Sequence, residues 1–482
     1  MGGIGVTLNN IFGRKSIAAG MFGVLYGSCL TVTPMVLVIG VLLLLEYLLG
    51  FNRLDYYTRE LFSCTILYIF IFSLLTASPF NSVLSKYMQD AIFEERYQDI
   101  LPCYYLGLVL NLFLTCLLGI PFCLWEHFMG GVPVLYVFTG FCGYISLTLV
   151  FYSMLYLSIC KDYGRVSLFF LVGMLAAFIL ALVLYFLAGW ETTRAMLLGM
   201  TVGFFVIAVL EYGSVRRYFV ENSNRFLPVL KYFGKYWHLI AINFLYTLGL
   251  YSHNFVFWTT DMRLVVANSF VCNQPYDMAS CLAMFTNISA TVIFIARVEM
   301  YFHERYKAYS EAVIGGKLSD IKIAKRKMFR EIANQLLDLA RLQFIISVIV
   351  YLLLVVILPR YGFAGLTMRI YPCLAAAYFI LFQMYAEILF LYYFKDMWGA
   401  LLTAASFCLV TVLGSVVATH LPDIWFGIGA VVGSFTGWCV GYMRLRWVER
   451  HMDYQTFCQG RLIAYGHGVR PPDLVYTGEA ET

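Results

Sequence analysis

The run GMFGVLYGSCLTVTPMVLVIGVLLLLEYLLG, residues 20–50, carries a single charged residue, Glu46. A stretch this long and this apolar finds no place on a soluble surface, whereas a bilayer takes up about 20 such residues at 1.5 Å each. Inside lipid it must be helical, because every backbone N–H and C=O needs an internal partner. Similar runs recur along the chain, near 18–48, 61–81, 102–125, 133–159, 166–188, 195–212, 237–258, 278–297, 342–359, 371–394, 397–418 and 424–443. The sequence therefore predicts an all-α polytopic membrane protein with about twelve spans. Composition agrees: 61% of the 482 residues are hydrophobic and 13% are charged, against roughly 25% charged in a soluble domain. The first run is too long for the apolar core of a secretory signal and lacks a small-residue cleavage site, so it is expected to be retained.

Most of the 33 Lys and Arg fall in segments that share a side with the N-terminus if the spans alternate. The excess of positive charge marks that side as cytoplasmic. The expectation is a multi-pass protein of the cytoplasmic (inner) membrane with both termini inside. The net charge of +5 reflects this topology and does not point to nucleic acid.

The spans divide six and six about the basic stretch RRYFVENSNRFLPVLKYFGK, Arg216–Lys235. Six spans return the chain to its starting side, so the halves share one orientation, the parallel kind of internal repeat. The expected organisation is a first bundle over 1–213, a basic linker over 214–236, a second bundle over 237–443 and a polar cytoplasmic tail over 444–482. Between spans 8 and 9, Ser319 can cap an amphipathic helix over about 319–340. Ile321, Met328, Ile332 and Leu336 form its apolar side, and Lys322, Lys325, Arg326, Lys327 and Arg330 crowd the other. Such a helix can lie on an anionic leaflet, dock a partner, or simply fix topology.

Most of the thirteen cysteines lie within spans, as small apolar residues. Cys272 and Cys281 approach the outer face and are candidates for a disulfide. No Cys/His metal spacing occurs, and no P-loop, GxSxG, HExxH or dinucleotide-binding glycine motif is present. No metal, cofactor or catalytic residue is predicted. The expectation is binding and translocation rather than an enzyme.

Polar groups inside the spans are the remaining signal, since a charge at mid-bilayer costs roughly 2.5–3.5 kcal/mol and normally faces protein or water. In span 7, Asn243, Thr247, Asn254 and, if the helix continues, Asp261 lie within about 40° of one another around the helix axis. This edge either lines a cavity or bonds to a neighbouring helix. His253 points away from it and, with Trp258, is expected near the membrane interface. Ser28, Thr31 and Thr33, before Pro34, form a weaker counterpart in span 1. In span 10, Gln383 and Glu387 share one face. Tyr371, Tyr378, Tyr385 and Tyr392 recur every seven residues, about 20° short of two full turns, and form a stripe roughly opposite. Tyrosines offer flat rings and hydroxyls to a sugar, or pack helices. Arg297 and Glu299 close span 8 at the cytoplasmic side, in a structural or gating position.

Three stretches, MGGIGVTLNNIFGRKS, YTLGLYSHNFVFW and FIARVEMYFHERYKAYSEAV, resemble the Pel exopolysaccharide exporter (PelG-like) family in the same order along the chain. The resemblance implies the multidrug/oligosaccharidyl-lipid/polysaccharide flippase superfamily, in which two six-helix bundles enclose a central cavity and rock between inward and outward access. Spans 1 and 7 commonly bend and line that cavity. It further implies an amino-sugar polymer as cargo, rich in N-acetylgalactosamine and deacetylated outside the cell. Implied partners are a cytosolic glycosyltransferase, a tetratricopeptide scaffold protein and a cyclic-di-GMP receptor. No site residue follows from it. The rival readings are an ion-coupled flippase of drug or lipid-linked oligosaccharide, a scaffold anchoring a synthase, and a membrane glycosyltransferase.

Overall fold

Helix starts follow local chemistry. In the computed structural model, which describes residues 17–160, 162–284, 302–357 and 365–457, aspartates open three of the helices. Asp55 accepts from Thr58 N–H at 3.0 Å, Asp162 from Arg165 N–H at 3.3 Å and Asp396 from Gly399 N–H at 3.2 Å. Each satisfies a backbone donor that the first turn leaves orphaned.

The first half contains α1 (Ile17–Leu48), α2 (Tyr56–Phe93), α3 (Ile100–Phe128), α4 (Val134–Ile159), α5 (Tyr163–Phe186) and α6 (Thr192–Tyr218). A short linker helix α7 (Leu227–Lys235) leads to α8 (Trp237–Phe257), an antiparallel hairpin of β1 (Leu264–Val266) and β2 (Phe270–Cys272), and the opening of α9 at residues 274–284. Then come α10 (His303–Gly315), α11 (Leu318–Ile357), α12 (Leu366–Tyr393), α13 (Met397–Ala418) and α14 (Ile428–Phe457). Among the described residues nine helices are long and apolar enough to cross a membrane: α2 to α6 and α11 to α14. The helices α1 and α8 stand where spans 1 and 7 are expected, and α9 opens where span 8 is expected, its remainder lying outside the described residues.

The two halves pack alike. In the first, α6 lies against α5 and α4, and α1 against α5; in the second, α14 lies against α13 and α12, and α8 against α13. The buried apolar residues accordingly fall into two main clusters. One runs from Val38 to Val229 and the other from Ile242 to Met452. The hairpin departs from this order. Val266, Ala267, Phe270 and Cys272 follow α8 in sequence but are buried in the first cluster.

Two expectations for the second half are revised. The amphipathic basic segment is not a separate helix. It is the first half of α11, continuous with span 9, and no proline or glycine interrupts it. Its apolar side is as expected, with Ile321, Met328 and Ile332 buried and Leu336 half-buried. Nor does α14 stop at the end of its apolar run. It continues to Phe457 because Arg444 pairs with Asp396 at 2.6 Å, stacks over Trp447, and Asp453 receives Lys325 of α11 at 2.9 Å.

The helices α13 and α14 approach so closely that glycine is required at their crossing, as small residues allow in membranes. A Cβ placed on Gly433 meets the Thr411 Oγ1 at 2.0 Å and its Cα at 2.8 Å, and one on Gly429 meets Ser415 N at 2.3 Å. Gly433→Leu should therefore cost at least the ~1–3 kcal/mol typical of overpacking. Gly213→Ala, at a position with open space around it, should cost nothing comparable. Thermal melting of the detergent-solubilised variants would compare them; equal melting of Gly433→Leu and wild type would refute the close crossing.

Candidate functional site at the seam between the bundles

The two halves meet where α2 runs along α8. Near the start of α8, Asn243 Nδ2 donates to the Ser78 carbonyl at 3.3 Å and to the Ser82 hydroxyl. Midway, Tyr251 and Leu250 pack against Ile71, Leu67 and Leu74. At the far end Phe255 stacks on Phe72 with ring centres 6.1 Å apart, and Trp258 on Tyr68 at 5.2 Å. The hairpin completes the closure. The Tyr68 hydroxyl donates to the Val271 carbonyl at 2.8 Å and accepts from its N–H at 3.0 Å. Just beneath, the Cys64 and Cys272 sulfurs lie 3.1 Å apart. At the opposite end the linker helix joins the seam, with Tyr232 edge-on to Tyr87 and its hydroxyl donating to Asp90 at 3.3 Å.

The polar edge predicted on α8 divides in two. Asn243 faces the other bundle, across the seam. Asn254 faces its own, where its amide donates to Asp277 Oδ1 of α9 at 2.7 Å and its carbonyl accepts from Ser280 at 3.3 Å. Asp277 is thereby enclosed. Trp258 Nε1 donates to both of its oxygens at 3.0 Å, and the Asn273 backbone N–H to Oδ2 at 2.9 Å. Thr247 is buried between these two ends. Asp261 is not on the edge: α8 ends at Phe257, and Asp261 sits exposed in the following turn.

His253 and Trp258, expected at the membrane interface, are both buried. His253 Nδ1 is 3.0 Å from the Tyr276 hydroxyl, and its ring lies edge-on to Tyr276 and Tyr378. Cys272 faces Cys64 rather than Cys281, which is exposed on the next turns of α9, and all eleven described cysteines are free.

The stripe of tyrosines is spent inside the second bundle. Tyr371 stacks on Tyr351 of α11 at 6.0 Å, the Tyr378 hydroxyl meets Ser280 at 3.0 Å, and Tyr385 packs on Tyr246 of α8 at 5.1 Å. Tyr392 is half-buried, its hydroxyl without a hydrogen-bond partner among the described residues. On the other face of α12, Gln383 is 8% exposed and Glu387 1%. A Cβ on Gly441 of α14 would stand 2.4 Å from Glu387 Oε2, so the carboxylate is pressed against that helix. Neither of its oxygens has a hydrogen-bond partner among the described residues.

Sequence reading missed three carboxylates. Asp277 follows Asn273 by four residues at a helix start, a pattern that marks a capped turn. Glu211 of α6 is fully buried, and both its oxygens lack a partner among the described residues. It closes the apolar run of span 6, and its signal was the same as that of Glu387. Glu126 of α3 lines a partly open cavity of about 230 Å³ between the first bundle and the hairpin, with the rings of Tyr68, Phe72, Phe122, Tyr136 and Phe270 around it. Of the basic residues on α11, Lys322, Arg326, Lys327 and Arg330 are exposed, whereas Lys325 is engaged with Asp453. Arg297 and Glu299 lie outside the described residues.

Two alike helical halves meeting along one seam, with nine helices among the described residues long and apolar enough to cross a membrane, define the class: a multi-pass membrane protein. Solved structures of the same fold agree. The chain is similar to an inward-facing MATE-family multidrug resistance transporter of the MOP superfamily, with a TM-score of 0.57, 12% identity and coverage of 82% of this chain and 92% of that one. The outward-facing conformation of a transporter of that family matches with a TM-score of 0.57 and 12% identity over 88% and 97% of the two chains. A MATE transporter in its bent conformation gives 0.57, 12%, 89% and 96%. At such identities the likeness concerns the fold. No curated protein matches the chain in sequence. The family model for PelG, a putative exopolysaccharide exporter, matches residues 1–457, and the chain belongs to that family. Its family and fold are those of a transporter, not an enzyme.

Asp277→Ala would strand the buried donors of Asn254, Trp258 and Asn273, each at about 1–3 kcal/mol. It should lower the melting temperature of the purified protein well below that of Asp277→Asn, which keeps an acceptor oxygen. A variant that melts like wild type would show that this carboxylate does not organise the end of α8.

Proposed function

We propose that the protein exports an amino-sugar exopolysaccharide across the cytoplasmic membrane, its two bundles rocking about the seam between α2 and α8. The observation that carries this reading is the construction of the seam. It is closed at both ends by contacts that a rocking motion can exchange: the Asn243 amide on Ser82 at one, the hairpin and stacked rings at the other. Few cations lie in the described spans, which fits a neutral or weakly cationic glycan better than a pyrophosphate-linked lipid.

The hairpin end faces outward in this reading. Lys322, Arg326, Lys327 and Arg330 crowd the opposite end, as does the basic linker, and positive charge favours the cytoplasmic side. Their exposed face is the docking surface we assign to the cytosolic machinery: a glycosyltransferase, a tetratricopeptide scaffold protein and a cyclic-di-GMP receptor. Glu387 and Glu211 support a second reading, in which a proton or another ion drives the rocking. Each is a carboxylate buried in membrane helix without a hydrogen-bond partner among the described residues, and such groups commonly belong to relays.

Interhelical hydrogen bonds in membranes are worth roughly 0.6–2 kcal/mol, which moves a two-state ratio by about threefold to thirtyfold. Asn243→Leu should therefore lower secreted polymer severalfold at wild-type protein abundance, while Asp261→Asn leaves it unchanged. Normal secretion by Asn243→Leu would remove the seam from the transport cycle. Glu387→Gln tests the coupling: undiminished export at normal abundance excludes it as a relay.

A further inference from the structure

The hairpin is tied to the second bundle by its chain connections and to the first by its contacts. It follows α8 after a short turn and runs directly into α9, which begins two residues after Cys272. Both bundles therefore have a hold on it. Asp277 of α9 accepts the Asn273 backbone N–H at 2.9 Å, so the residue after Cys272 is fixed to the second bundle. Cys272 itself is 3% exposed and its sulfur lies 3.1 Å from that of Cys64, which belongs to α2 and is 2% exposed. The two thiols come from positions 208 residues apart, across the seam. Glu60, one turn before Cys64, receives Gln274 at 3.5 Å, and Tyr68, one turn after, holds Val271. Three successive turns of α2 thus grip the strand around Cys272, and the register brings sulfur onto sulfur.

We infer that Cys64 and Cys272 form a reversible disulfide that locks the hairpin end of the transporter shut. The thiol form cycles, because only noncovalent contacts hold the hairpin to α2. The disulfide form cannot open at that end, because a covalent bond ties α2 to the start of α9. The inference rests on the outward orientation proposed above, which places the pair in the compartment where disulfides persist.

The chemistry needs a two-electron thiol oxidant, which in the cell envelope is a disulfide of the thiol–disulfide exchange class and for which diamide substitutes in the test below. One cysteine thiolate attacks the oxidant's disulfide, forms a mixed disulfide and releases one reduced sulfur of the oxidant. The second cysteine, as thiolate, then attacks the protein sulfur of that mixed disulfide. The S–S bond between Cys64 and Cys272 forms and the oxidant leaves fully reduced. Two electrons and two protons pass from the cysteine pair to the oxidant. Both sulfurs are buried when the hairpin is seated, so the first step occurs with the hairpin lifted and the second on its return. The bond therefore records closure of this end.

The test uses whole cells expressing the full chain, treated with diamide, with free thiols then blocked and the protein digested for mass spectrometry under non-reducing conditions. The expected result is a Cys64–Cys272 linked peptide that rises with diamide, together with a severalfold fall in secreted polymer that dithiothreitol reverses. Cys64→Ser and Cys272→Ser, and the corresponding alanine variants should either serine misfold, should secrete normally in diamide. Absence of the linked peptide, or its accumulation with undiminished secretion, would overturn the lock. Failure of the orientation is read separately: Asn268→Cys, at the tip of the hairpin, reacts with a membrane-impermeant maleimide in intact cells only if the hairpin faces outward.

Discussion

The carboxylate of Asp277 holds the most consequential turn of the molecule. Buried at the start of α9, it accepts from the side chains of Asn254 and Trp258 on α8 and from the backbone of Asn273. Burying a carboxylate in so apolar a setting costs less when its oxygens are satisfied, and here α8, the strand end and α9 are drawn together to satisfy them. Trp258 is turned by that bond so that its ring lies flat on Tyr68 of the other bundle. The hairpin between the two helices is thereby aimed at α2 and buried in the first cluster. One satisfied carboxylate in the second bundle thus positions the contacts that close the seam against the first.

The topology was readable because lipid leaves a chain few options. Apolar runs must be helices, and the described helices occupy the expected places. Periodicity also found the buried side of α11 correctly at Ile321, Met328 and Ile332. It failed on what a helix faces. Asn243 and Asn254 share one edge of α8, but Asn243 meets α2 while Asn254 meets α9, because different neighbours cover different heights of the same helix. The tyrosine stripe of α12 is real as a stripe, and its rings pack against α11, α9 and α8 rather than standing free. His253 looked interfacial from its distance to the helix end. Tyr276 of α9 and Tyr378 of α12 cover it, and no local pattern announces which later helices will pack over a span.

Asp261 shows the other limit. Its place on the polar edge depended on α8 continuing past Trp258, and the chain turns there instead. The carboxylate that edge needs is supplied sixteen residues later by Asp277, on a different helix. Sequence spacing within one helix cannot reveal a partner that arrives by tertiary folding, whereas an unpaired buried donor such as Asn254 signals that one must exist.

The likeness of the two halves extends to their buried carboxyl groups. Each half buries an isolated carboxylate in relation to its last helix: Glu211 lies on α6, and Glu387 of α12 presses against α14 at Gly441. Among the described residues, the seam contacts given above come from α2, α7, α8 and the hairpin. A carboxylate set back in the bundle cannot gate by touching the opposite half, so any influence it has on rocking must pass through the packing of its own helices. On α14 the path is short. The glycine that admits Glu387 is followed three residues on by Arg444, whose pairing with Asp396 fixes the turn between α12 and α13. Further along the same helix, Asp453 holds Lys325 of the basic half of α11. A small displacement of α14 at Gly441 would therefore be felt both at that turn and at the exposed basic face. The geometry brings one helix, α14, against both the buried Glu387 carboxyl of α12 and the basic half of α11, which is the arrangement needed if events at that basic surface are to bias the transporter.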